Sequence, residues 1–187
     1  MLKTLINKFV DIRDDNELRG LLIATAYGFF IMFSYYILRA VRDEISSADR
    51  GNLQILWTAV FFVMLLAVPA YSWLASKFSR GIFVPLANRF FIACLVAFLA
   101  CLFFLRPDAR PWVDRVLYVW SSVFALFVVT VFWGFMSDCF DNSQGKRLFS
   151  FIAVGSSLGG MAGSALTAGL AESIPVFSLL LLACVPL

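Results

Sequence analysis

Histidine is absent from the 187 residues, and Asp, Glu, Lys and Arg together make up only 14% of them. The first absence removes the imidazole general base, the imidazole metal ligand and the imidazole proton relay together. The second stands against about 25% in ordinary soluble domains, and with 61% apolar residues it argues against a soluble globule and against a disordered chain. The formal net charge is only +3, and the charges are scattered rather than gathered into a patch, so a nucleic-acid partner is not expected. The four cysteines, Cys94, Cys101, Cys139 and Cys184, form no CxxC and lie inside or beside apolar runs. They read as small hydrophobes, with no disulfide, zinc site or redox role. No Walker loop, HExxH, GxSxG or carboxylate pair in a catalytic setting is present, so the sequence calls for no enzyme activity, cofactor or metal.

What the chain has in quantity is length of apolar run. A membrane-spanning helix needs about 20 mostly apolar residues. Five stretches reach that length, at Leu18–Val41, Leu53–Ser76, Ile82–Leu105, Val113–Phe140 and Leu148–Leu170. A sixth begins near Ile174 and is still apolar at Leu187, with no aromatic or basic anchor to close it, and it reads as truncated. The connections DEISSADRGN, KFSRG, RPDARPW, DNSQGKR and AESIP are short and rich in turn residues, which makes consecutive helices antiparallel neighbours. Pro69 and Pro85 fall inside the second and third runs, where kinks are expected. The chain is thus an all-α membrane protein, with residues 18–187 as a transmembrane bundle.

The opening MLKTLINKFVDIRDDNELRG is charged and lacks the apolar centre and cleavage site of a secretory signal. Leu2, Leu5, Ile6, Phe9 and Ile12 recur at helical spacing beside Lys3, Lys8 and Arg13, so residues 1–17 read as a cytoplasmic amphipathic segment on the headgroups; a frayed tail is the alternative. Basic residues in the loops set the orientation. With the N-terminus in the cytoplasm, eight Lys and Arg fall inside and six outside, and all four lysines are inside. The expected setting is the cell's inner (plasma) membrane, crossed several times, with the N-terminus cytoplasmic.

Charges kept within the apolar runs mark candidate sites. At 100° per residue, Arg39 and Arg42 lie within about 40° of Tyr35 on one stripe. Asp43 follows Arg39 by four and can pair with it. Two guanidiniums and a phenol suit an anionic group such as phosphate. Arg39 is also about 28 Å along the helix from Gly20, so snorkelling to the headgroups accounts equally for both arginines. Arg89, with Asn88 beside it, lies about 10 Å into the third run. An arginine at a helix centre costs at least about 2.5–3.5 kcal/mol, so it should face the bundle interior and have a partner. Asp138 is at a similar depth, which leaves a structural Arg89–Asp138 tie and a transport role both open. In SDCFDNSQGKRLF, Asp138, Asp141, Lys146 and Arg147 read either as a topology-setting loop or as a charge cluster that opens and closes an inner mouth. Gly155, Gly159, Gly163 and Thr167 form a small-residue stripe for close helix packing. Tyr118, Trp120, Ser121 and Ser122 make a polar–aromatic patch that either lines a cavity or sits in the outer aromatic belt.

Two of these blocks, YYILRAVRDEI and FWGFMSDCFDNSQGKRLFSFIAVGSSLGG, resemble the ATP/ADP translocase family of bacterial and plastid nucleotide transporters, which is related to the major facilitator superfamily. The matching positions are Leu38, Arg39, Arg42 and Asp43 in the first block, and Phe132–Phe135 and Lys146–Phe149 in the second. The resemblance implies a transporter of about twelve helices, this chain being its six-helix N-terminal half and the C-terminal half a missing partner. It implies an anionic organic solute, with ATP/ADP exchange as the family's own case, and a nucleotide-recognising role for Arg42. Members that exchange ATP for ADP carry an acidic residue two positions before the Trp of helix four; here that position is Tyr118. Under this reading Arg39, Arg42, Tyr35, Asn88, Arg89 and Tyr118 bind solute, and Asp43, Asp138, Asp141, Lys146 and Arg147 form the gating network. The competing reading is a membrane scaffold or assembly subunit, and the two part at Arg89: a cavity-facing guanidinium belongs to a transporter, a headgroup-facing one to a scaffold.

Overall fold

The computed structural model describes residues 14–170, 173 and 176–186. The expected amphipathic segment falls almost wholly on residues 1–13, outside the described residues. Among the described residues six α-helices follow one another: α1 Asp15–Ala48, α2 Leu53–Lys77, α3 Arg80–Phe104, α4 Arg110–Cys139, α5 Asn142–Leu170 and α6 Val176–Cys184. Single 3-10 turns at Arg50–Asn52 and Pro107–Ala109 join α1 to α2 and α3 to α4. The first five helices are long and apolar enough to cross a membrane, so the chain is an all-α, multi-pass membrane protein.

Several helices overrun the apolar runs that announce them. α1 starts three residues before Leu18 and ends seven after Val41, and α5 starts at Asn142 rather than Leu148. Hydropathy sees only what oil requires, whereas a capped helix continues into water. Asp14 is the N-cap of α1, and its carboxylate accepts from the Asp15 N–H at 2.6 Å. At α5 the Asp141 N–H donates to Gln144 Oε1 at 3.0 Å, one half of a capping box. α2 and α3 continue through Pro69 and Pro85.

α1 is the central post. Its buried residues Leu21, Ala24, Gly28, Ile31, Leu38, Val41 and Ile45 recur at mainly three- and four-residue steps, a single stripe facing its neighbours. That stripe packs chiefly on α5, and α1 also touches α4 and α6. On α5 the matching stripe is largely glycine: Gly155, Gly159 and Gly163 are all buried. A β-carbon at Gly159 would meet the Phe29 carbonyl, and one at Gly163 the Phe33 carbonyl, so the two backbones are nearly in contact. Gly28 answers from α1, where a β-carbon would come within 2.8 Å of the Phe132 ring on α4.

α2 and α3 lie outside this post, each resting on α4. Only Leu56 of α2 is buried, while Trp57, Phe61, Phe62, Leu65 and Leu66 face outward. A helix that is apolar all round and scarcely buried is one solvated by lipid.

Candidate functional site

The starts of α1, α3 and α5 and the end of α4 converge at one end of the bundle, around a hollow of about 930 Å³. Along α1 its lining runs from Asp14 to Tyr27, thirteen residues or about 20 Å. This is well over half the thickness of a hydrocarbon core of about 30 Å.

An ion pair stands near the mouth. Glu17 is the third residue of α1, and Arg147 the sixth of α5. Arg147 Nη2 donates to Glu17 Oε1 at 2.7 Å, and Arg147 Nε donates to the Ser143 carbonyl at 3.3 Å. The Glu17 side chain is only 4% exposed and that of Arg147 20%, so the pair is largely withdrawn from solvent. Removing one partner from such a pair typically costs about 3–5 kcal/mol, because the other charge is left uncompensated. Asp14 and Asp141, the two helix-starting residues, complete the charged rim.

Deeper in, the wall changes character. Phe135, Met136 and Phe140 of α4 supply an apolar side, and α3 supplies Asn88 and Arg89. Asn88 Nδ2 donates to Tyr27 Oη at 3.3 Å, a polar bridge from α3 to α1. The Tyr27 ring is fixed by Phe132 at 5.5 Å and by an edge contact with Phe135 at 6.4 Å. Arg89 lines the same hollow and is exposed; among the described residues it has no hydrogen-bond or ion-pair partner. Of the two readings left open for Arg89, the tie to Asp138 is not formed: no hydrogen bond or ion pair joins the two described side chains, and Asp138 does not line this hollow. Arg89 lies nine residues into α3, whereas Asp138 is one residue from the end of α4, so the two stand at different depths on separate helices.

The other expected residues are placed elsewhere. At the far end of α1, Arg39 Nε lies 3.9 Å and Arg42 Nη2 3.4 Å from the Asp43 carboxylate. Arg39 also sits over the Tyr36 ring at 5.6 Å, and Tyr35 packs edge-on against Tyr36. None of these residues lines the hollow. Tyr118 is buried in the α2–α4 contact, where its hydroxyl accepts from Trp57 Nε1 at 3.1 Å and its carbonyl accepts from Ser121 and Ser122. It is thereby separated from Asn88 and Arg89. Asp141 and Arg147 are at the hollow; Lys146 is exposed beside it, one position round the helix.

Glu17 and Tyr27 complete the site and were not among the expected residues. Their signal was faint: a lone glutamate at the start of an apolar run, and a tyrosine among phenylalanines. Their partners stand 130 and 61 residues away, a pairing that one sequence does not display.

A second hollow, of about 1020 Å³, lies between α2 and α3 across α4. Its lining is apolar except at the rim, where Arg115 donates to Asp49 at 2.7 Å and sits over the Trp112 ring at 5.0 Å. That bond, together with one from Asn52, holds the Asp49 carboxyl below the ordinary carboxylate range.

Comparison of the chain with known families, curated proteins and solved structures yields no match.

Proposed function

We propose that this chain is the N-terminal half of a secondary transporter that carries an anionic organic solute by alternating access. The observation that carries the reading is Arg89, a guanidinium in a span-length helix that faces a polar hollow and has no acidic partner among the described residues. Charged groups at such depth are expensive, and they typically mark solute pathways or buried ties. With no tie present, the pathway is the better account, and a scaffold has no use for the hollow.

Arg89 receives the anion, with Asn88 and Tyr27 as orienting polar groups on the same wall. The volume of about 930 Å³ falls within the range of small-molecule sites, about 300–1,000 Å³. Arg147, Asp141, Asp138 and Lys146 belong to the inner mouth, where contacts form and break as two bundles rock about a site near the midplane. Arg39 and Arg42, with Tyr35 and Asp43, receive the solute at the opposite mouth. The N-terminus is cytoplasmic, so the hollow opens inward across the plasma membrane. The resemblance to ATP/ADP translocases supports a nucleotide as the anion, carried as cargo and not hydrolysed, and a second six-helix half as the opposing wall.

The test is uptake of radiolabelled anions, ATP first, by proteoliposomes of the full-length protein. Arg89→Ala lowers uptake at least about tenfold, equivalent to about 1.4 kcal/mol, with the folded yield unchanged. Arg89→Ala protein that is folded and transports like wild type defeats the reading and leaves the scaffold.

A further inference from the structure

The bridge between α3 and α1 leaves half of its hydrogen-bonding capacity unused. Asn88 Nδ2 donates to Tyr27 Oη at 3.3 Å, and among the described residues neither side chain has another hydrogen bond. A phenol has a proton to donate as well as lone pairs, and a carboxamide has a carbonyl oxygen as well as its N–H groups. The Tyr27 O–H and the Asn88 Oδ1 are therefore unspent. Turning the Asn88 amide over exchanges the roles but leaves the same remainder, a donor and an acceptor side by side. Both residues line the polar hollow. Among the described residues the one buried side-chain polar atom without a partner is Ser34 Oγ, so the Asn88 carbonyl oxygen is reached by solvent. A bridge that only joined two helices would need one donor and one acceptor. Further polar groups left open at membrane depth are costly unless something in the hollow meets them.

We propose that Asn88 and Tyr27 read an uncharged group of the solute that both accepts and donates hydrogen bonds, a hydroxyl or a carboxamide. The solute's acceptor takes the Tyr27 proton, and its donor gives to Asn88 Oδ1. The inference rests on the transport reading and narrows its substrate class: the solute is an acid that carries such a group, neither a simple inorganic anion nor a hydrocarbon acid. Arg89 follows Asn88 on α3, with consecutive Cα atoms about 3.8 Å apart, so an acid held at Arg89 reaches the pair with a neighbouring group. The pair is fixed in place. The Tyr27 ring is packed by Phe132 and Phe135, and next to it on α1 a β-carbon at Gly28 would strike Ser156 and Phe132. Asn88 lies one turn after the buried Val84. Neither side chain of the pair carries a charge, so what it adds is selection among anions rather than attraction of them. A site that hydrogen-bonds a group of its substrate rejects an analogue lacking it, because the site's own polar groups are then left unpaired.

Calorimetric binding to the full-length protein in detergent tests this. The probes are benzoates and phenyl phosphates substituted at the 3- or 4-position. A carboxamide or hydroxyl substituent donates and accepts, an acetyl group only accepts, and an isopropyl group does neither. Wild type binds the best carboxamide or hydroxyl compound at least about tenfold more tightly than its acetyl and isopropyl counterparts, the scale of one hydrogen bond. Tyr27→Phe and Asn88→Leu cut that ratio to below about threefold and leave the affinity for the isopropyl compound within about twofold of wild type. A bridge that merely braced α3 against α1 would weaken every probe alike. Tyr27→Phe keeps the ring and its packing, so it gives the answer if Asn88→Leu does not fold. A preference between the carboxamide and hydroxyl compounds tells which group the solute carries. Equal affinities across the wild-type series, no binding of any probe, or a preference that survives both variants overturns the proposal. If the preference is absent while uptake still depends on Arg89, only the role of the pair is lost. If the preference and its loss are both found while the protein moves no anion, the pair stands as a binding element and the transport reading falls.

Discussion

Two hollows of similar volume, about 930 and about 1020 Å³, lie in the same bundle and share α3 and α4 as walls. One is lined by two guanidiniums, three carboxylates, three amides, a hydroxyl, a thiol and a phenol; the other by alkyl and aromatic groups, with one phenol and a single arginine at its rim. Size therefore says little about use. The difference follows from what each hollow borders. The polar one sits against α1 and α5, whose glycine seam makes a rigid, closely packed wall on which charged groups can be held in place. The apolar one is the gap between α2, which rests on α4, and α3, which rests on α4 and α6, and its alkyl and aromatic lining suits lipid chains rather than ordered polar chemistry.

Variants can break this comparison at several strengths. The largest effect is expected at the seam. Gly159→Leu puts a side chain where the Phe29 carbonyl stands, and overpacking of a fitted interior costs about 1–3 kcal/mol or more. It should abolish the monodisperse folded peak in size-exclusion chromatography. Gly169→Leu on the same helix, where nothing lies within 4 Å, should leave the peak intact. If the two behave alike, the seam is not what makes the polar wall rigid. A smaller effect is expected at the bridge. Tyr27→Phe removes the acceptor of the Asn88 amide and should lower uptake about fivefold, near the 1 kcal/mol of an ordinary hydrogen bond. The smallest effect belongs to the rim of the apolar hollow. Because Arg115 holds the Asp49 carboxyl low, its contribution is fully present above the ordinary carboxylate pKa of about 3.9 and is lost as pH falls through the lowered folded value. Asp49→Asn should therefore lower the melting temperature slightly at pH 7 and not at all in acid that protonates Asp49. A larger loss at pH 7 than that of Tyr27→Phe would reverse the ranking of the two hollows.

The frame of the molecule was legible because it is written in one dimension. Apolar runs of span length, short turn-rich loops and the glycine step of four place α1 to α5 within a few residues, and the seam sits where the small stripe lies. Helix ends were less visible, since Asp14 and Asp141 extend α1 and α5 into residues that hydropathy scores as loop. Among the site residues, Asn88 and Arg89 stood out because polar groups are costly at their depth. Glu17 did not, because at the start of a span a carboxylate looks solvated; only its partner on α5 makes it a buried charge. Tyr118 shows the converse: a polar atom in an aromatic patch left a cavity and the outer aromatic belt both open, and its hydroxyl is satisfied within the α2–α4 contact.

The length of α1 has a mechanical consequence. Its 34 residues make a rod of about 51 Å, and the backbone contact with α5 couples the two into one stiff beam. A beam of that length pivoting by about 10° at the Glu17 end sweeps its far tip through roughly 9 Å. A small tilt beside Arg147 is thus geared up to about 6 Å at Arg39 and Arg42, so that such a rod would carry a change at one end of the bundle to the other without any helix unwinding.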